Sequence, residues 1–105
     1  MAFGFTYNED QLALQKTVRK FVDNEIVPVR AAYDESEEFP WPEVKKMSDL
    51  GLNCMNAPEK YNGMEFGHVG LCMVIEELSR GCLGIAMTPK ANMLGSEPVI
   101  YGGTE

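Results

Sequence analysis

Much of what would declare a function is scarce in this 105-residue sequence. It holds a single histidine, His68, so no cluster of imidazoles can ligate a metal or relay protons. Three cysteines, Cys54, Cys72 and Cys82, cannot all pair with one another, and none has C-x-x-C spacing. We read them as reduced packing residues, Cys72 acting as a small apolar group inside a buried helix. No apolar run approaches the roughly 18 residues that a membrane span requires. The start, Met1-Ala2-Phe3-Gly4, lacks the basic-then-apolar order of a secretory signal, so a soluble intracellular chain is expected. Cations are also few: 9 Lys and Arg against 16 Asp and Glu leave a net charge of −7. With no basic cluster longer than a pair such as Lys45-Lys46, no nucleic-acid partner is expected. Gly63, Gly67 and Gly70 fit neither G-x-G-x-x-G nor a P-loop, and no Lys-Ser/Thr follows them.

What is present centres on Phe66 to Arg80, FGHVGLCMVIEELSR. Val69 to Ile75 is apolar apart from one glycine and has no polar face at any helical angle. Its tail, Glu76-Glu77-Leu78-Ser79-Arg80 before Gly81, supplies helix formers, a late cation and a C′ glycine. A helix that is apolar all round must be enclosed, so other helices should surround this one. The length allows one domain with one core, but not also a roomy cofactor site.

Along the chain, Thr6 and Glu9 form a capping-box pattern. Leu14, Val18, Phe21 and Val22 then recur at helical spacing opposite Lys16, Arg19, Lys20 and Asp23. Pro28 should kink that helix or start a second segment through Tyr33, followed by a solvated acidic link, Asp34 to Glu38. Phe39-Pro40-Trp41-Pro42 reads as a turn with Trp41 as packing anchor and Pro42 opening a short helix. Val44, Met47 and Leu50 give that helix its apolar edge, and Gly51 ends it. Leu52 to Gly63 reads as an extended connection closed by a turn. After Gly81 a second mostly apolar stretch runs to Gly95, where Pro89 predicts a kink or a start near Thr88. Ser96-Glu97-Pro98 then reads as a new N-terminus. Thr104-Glu105 reads as one more N-cap that the chain does not go on to use, as if the sequence were cut there.

The catalytic inventory is thin. Glu76 and Glu77 are neighbours and point about 100° apart on a helix, so they form no facing acid–base pair. Glu76 continues the apolar segment, and if it is enclosed, Arg80 at i+4 is its local partner. No residue is assigned a catalytic, cofactor-binding or metal-binding role.

Five ordered motifs nevertheless carry a resemblance across nearly the whole chain. They are Phe5-Thr6 with Glu9-Asp10-Gln11, Val18 to Val22 and Glu25 to Pro28; Phe39-Pro40 through Leu50-Gly51-Leu52; Ala57 to Met64; Glu76 to Gly81; and Tyr101 to Glu105. Together they resemble the N-terminal α-helical domain of the acyl-CoA dehydrogenase family. The resemblance implies an all-α, multi-helix up-and-down or orthogonal bundle, with residues 1–105 as one domain. It further implies a larger FAD-dependent parent whose middle β-domain and C-terminal helical domain are absent here. Such enzymes dehydrogenate acyl-CoA thioesters at the α and β carbons in fatty-acid β-oxidation, passing electrons to an electron-transferring flavoprotein. On this basis the compartment is bacterial cytoplasm or mitochondrial matrix. The base and most flavin contacts lie in the domains not present, so the chain alone should be inactive and bind no FAD.

By position, Met87, Lys90, Ala91 and Leu94 match family residues lining the fatty-acyl chain, and their spacing puts them on one helical face. For Ala91 and Leu94 the alternative is interhelix core. The sequence departs from the family at Met87-Thr88-Pro89-Lys90, where Lys90 is a costly neighbour for an alkyl chain unless paired or in reach of water. The alternative to an enzyme fragment is a helical interaction module that self-associates, by exchange of Thr6 to Tyr33 across Pro28. A free-standing acyl-CoA binder is disfavoured by the acidic charge.

Overall fold

In the computed structural model, which describes residues 6–104, every regular element is helical and no strand occurs among those residues. The Glu105 half of the terminal cap pattern lies outside the described residues, as does Phe5 of the first motif. Helix α1 spans Glu9–Phe21 and opens two residues later than Thr6 suggests. Asn8 is its N-cap: the Asn8 side chain accepts from the Gln11 backbone, and the Gln11 side chain accepts in return from the Asn8 N–H. Asn is the stronger cap and Gln11 sits at the required third position, which is why this box displaces Thr6–Glu9.

The helix widens into a π turn over Val22–Ile26, closed by Val27 N–H to the Val22 carbonyl. Pro28 has no N–H to give the helix, and the axis breaks through a turn before α2, Arg30–Ser36. The first half of the expected acidic link is thus helical, ending at Glu37 in the left-handed region. Helix α3, Trp41–Asp49, carries Pro42 in its first turn, and Gly51 at φ +78 turns the chain away from it. The segment that follows is a series of turns with a short 3-10 piece, Glu59–Tyr61, and not an extended strand-like arm. It nonetheless sends Leu52 and Met55 wholly into the core.

Helix α4 spans His68–Gly81, preceded by Gly67 at φ +81. Helix α5, Leu83–Gly102, follows after the single residue Cys82, whose extended backbone makes the corner. It doubles back along α4, because His68 at the start of α4 meets Glu97 and Tyr101 late in α5. Gly81 is not the left-handed cap that the sequence suggested. It is the last helical residue, and a Cβ there would stand 2.5 Å from Val22 and 3.1 Å from Ile26. Its function is close approach, and Arg30 seals it by donating to the Gly81 carbonyl at 2.9 Å.

α5 corrects two further expectations, since it runs unbroken through Pro89 and Pro98 with no new start at Thr88 or Ser96. At Pro89 the missing donor would have served the Ile85 carbonyl, and the Thr88 hydroxyl donates there instead at 2.9 Å. Near Pro98, Asn56 reaches from the connecting segment to the Met93 carbonyl and the Ser96 hydroxyl. The carbonyl freed by Pro89 is thus satisfied, Asn56 ties the turn before Pro98 to the connecting segment, and one helix stands where propensity argues for two. The core gathers Val18, Val22 and Ile26 with Met73, Val74 and Leu78 of α4, and closes below with Met47, Leu52 and Met55. Extents of 43 × 35 × 19 Å make the molecule about two helices thick.

Candidate functional site: an open apolar trough

The two long faces of α4 differ. Toward α1 it buries Met73, Val74, Leu78 and Glu77. On the other side Val69 and Cys72 are exposed and Leu71 and Ile75 half-buried, so α4 is not enclosed all round. An apolar segment alone cannot say how many of its sides a given length of chain will cover.

On that second side α4 and α5 bound a cleft of about 450 Å³. His68, Leu71, Cys72, Ile75 and Glu76 form one wall and Lys90, Met93, Leu94 and Glu97 the other. Both sets recur at i, i+3, i+4 and i+7, the pattern of a continuous helical stripe. Because the helices are antiparallel, His68 faces Glu97 at one end, with Nε2 3.8 Å from the carboxylate. The same register sets Glu76 level with Lys90 at the other end. Between these polar ends the lining is aliphatic or sulfur-bearing.

Of the four acyl-wall residues expected from sequence, Lys90 and Leu94 line this trough. Met87 and Ala91 lie on the adjoining exposed strip of α5, outside its lining. Leu94 is 63% exposed, so neither it nor Ala91 fills interhelix core. Lys90 is exposed to water and makes no ion pair among the described residues. The sequence reading missed the α4 wall, Cys72 included, because it took that helix as wholly enclosed. The signal was available: Leu71, Cys72 and Ile75 share one stripe with His68 and Glu76.

Charge is organised on the opposite seam. The carboxylate that α4 buries is Glu77 and not Glu76, which is exposed and forms no ion pair among the described residues. Arg19 of α1 grips Glu77 through two nitrogens at 2.8 and 3.1 Å, and Arg80 approaches it at 3.4 Å while holding Asp23 at 2.8 Å. Burial pushes the Glu77 carboxyl up, but its bonds to Arg19 and Arg80 outweigh that and hold it below the ordinary carboxylate range. Glu43 of α3 is likewise buried and accepts from the Tyr33 hydroxyl at 2.6 Å, a bond that, with burial, raises the phenol above its usual value. Trp41 is 71% exposed, tilted against Phe39 with centroids 4.6 Å apart, and anchors no core. Pro40 is buried in its place. No group of three or more His, Cys, Asp or Glu side chains among the described residues is placed to hold a metal ion. No helix there is long and apolar enough to cross a membrane.

Fold and site together define an all-helical domain whose last two helices leave an apolar trough open on one side. Residues 8–105 match the model of the acyl-CoA dehydrogenase N-terminal domain, and the chain belongs to that family. It is 36% identical over 99 residues to the mitochondrial short-chain specific acyl-CoA dehydrogenase of Bos taurus, covering 92% of this chain and 24% of that protein. It is also 36% identical over 102 residues to a probable mitochondrial medium-chain specific acyl-CoA dehydrogenase of Caenorhabditis briggsae, covering 97% and 25%. The chain thus spans about a quarter of the length of the curated relatives it matches.

Proposed function

We propose that these residues are the N-terminal helical portion, one domain, of an FAD-dependent acyl-CoA dehydrogenase, and that α5 supplies part of a wall of its acyl pocket. The observation that carries this reading is the trough, whose aliphatic floor suits an alkyl chain. Within it Leu94 and the stem of Lys90 offer apolar surface, while the ammonium reaches water, which removes the cost that the sequence attached to it. Met87 and Ala91 extend that wall along the helix. In the parent, acyl-CoA is the substrate and electrons leave to an electron-transferring flavoprotein, with fatty-acid β-oxidation as the setting. The mitochondrial designation of the relatives favours the matrix over bacterial cytoplasm.

FAD brings two-electron chemistry to such an enzyme, but the residues here do not fit the dinucleotide by themselves. A pyrophosphate wants cations and free N–H groups, whereas the trough carries Glu76 and Glu97. The cleft beside α2 carries Asp34, Glu37 and Glu38, and its Arg30 is committed to the Gly81 carbonyl. The chain alone is therefore expected to take up no flavin and to reduce no dye with acyl-CoA substrates. A longer chain that restores the remaining three quarters should be yellow and active. Dye reduction by the 105 residues, or a colourless and inactive longer form, overturns the reading.

A second reading, a self-associating helical module, is favoured by one observation. Leu83, Leu94, Val99 and Tyr101 of α5 and Val69 of α4 are each more than half exposed. Light scattering that reports a monomer at high concentration removes it.

A further inference from the structure

The exposed apolar residues of α5 are ordered along the helix. Leu83, Met87, Leu94 and Tyr101 are all exposed. With Lys90 and Glu97 they recur in alternating steps of four and three, Leu83-Met87-Lys90-Leu94-Glu97-Tyr101. That repeat holds six side chains on one line over about 27 Å, the seam that one helix offers to another. Cys72, exposed on the facing side of α4, adjoins it across the trough. Lys90 and Glu97 are the two charged residues of α5, they differ in sign, and both fall on this line. Within the chain they stand two turns apart. Lys90 forms no ion pair among the described residues, and Glu97 meets His68 at 3.8 Å.

We propose that this seam docks a second copy of the chain, the two α5 helices packing antiparallel about a twofold axis level with Asn92. The inference rests on the self-associating reading above and assigns the surface it uses. In that register Leu83 meets the partner's Tyr101, Met87 the partner's Glu97 and Lys90 the partner's Leu94. Lys90 then stands three residues along the axis, about 4.5 Å, from the partner's Glu97. Twofold symmetry makes that pair twice. A parallel register would set Lys90 against Lys90 and Glu97 against Glu97, so charge selects the antiparallel one. Each copy carries a net charge of −7, which opposes association, and the two cross-seam pairs offset that repulsion where the copies touch.

Area sets the strength. The seam with its α4 flank makes a face of about 27 by 20 Å, less than the roughly 800 Å² per partner of a standard stable complex. The dimer is therefore of the weak, reversible kind, and its population depends on concentration.

Sedimentation equilibrium of the 105-residue chain over a wide concentration range tests this, with circular dichroism to confirm that each variant stays helical. We expect a monomer–dimer equilibrium. Lys90→Glu and Glu97→Lys should each weaken it on the order of 10-fold, since each turns two attractive pairs into two repulsive ones. An equimolar mixture of the two variants should recover the parent's association, because every cross-seam pair is then again of opposite sign. Leu94→Asp, at the middle of the seam, should leave a monomer. A dimer indifferent to Leu94→Asp and to both charge reversals overturns the α5 seam and leaves self-association through another surface standing. A mixture no tighter than either variant alone overturns the antiparallel pairing. A monomer at every concentration overturns this inference and the self-associating reading together.

Discussion

Helix α4 meets two neighbours, and its two sides teach different things. Against α1 it closes a seam with fully buried aliphatic contacts, a glycine chosen for close approach and a carboxylate clamped by two arginines. Against α5 it leaves a trough in which Cys72 and Leu94 are exposed and Leu71 and Ile75 only half-buried. The hydrophobic composition of the two sides is similar, so composition does not decide which is finished. Reciprocal burial does: a face contributes to stability only to the extent that something covers it.

The largest test of that contrast pairs two leucines. Leu78→Ala on the closed seam should cost about 2–5 kcal/mol in urea denaturation, because a cavity opens where the side chain is 1% exposed. Leu94→Ala in the trough should fall within about 0.5 kcal/mol of the parent. Equal effects would break the distinction. A smaller effect comes from glycine. Gly81→Val drives methyl groups into Val22 and Ile26, for an expected loss of about 1–3 kcal/mol. Gly95→Ala, with nothing within 4 Å of the new Cβ, should raise the melting midpoint through helix propensity worth about 0.5–1 kcal/mol.

The clamp gives a test in pH of similar size to the glycine change. Glu77→Gln should cost roughly 1–3 kcal/mol at neutral pH, by removing hydrogen bonds to charged partners from a buried group. Because the native carboxyl titrates below its unfolded value, the stabilisation is complete above the ordinary carboxylate range and disappears as pH falls through the lowered native one. Thermal melts of parent and variant should therefore converge on acidification. A difference that widens in acid contradicts the direction of the shift. Glu76→Gln, on the open side, should change little at any pH.

Local pattern made the helices legible: α1, α3 and α4 follow the periodicity and punctuation around Leu14, Val18, Met47 and Leu78. The family was legible too, since its motifs are contiguous and survive without coordinates. What escaped was decided between distant segments. Pro89 sits within α5 with the Thr88 hydroxyl serving the carbonyl its ring leaves free, and Asn56, far away in sequence, ties the turn before Pro98 through Met93 and Ser96. The choice of Glu77 over Glu76 depends on where Arg19 falls after α1 has packed, a fact no i+4 rule contains. Cys72 was misjudged for the same reason, as apolar neighbours in sequence do not guarantee a neighbour overhead. Of the four residues expected to line an acyl chain, helical spacing grouped all together, but the trough beside α4 takes in Lys90 and Leu94 and leaves out Met87 and Ala91.

One residue, Cys82, joins α4 to α5. So short a hinge leaves no slack, and Arg30 pins the carbonyl just before it. Whatever levers α5 outward must strain the bolt at Gly81, so the gap between the two rods has a mechanical limit set on the far side of the molecule.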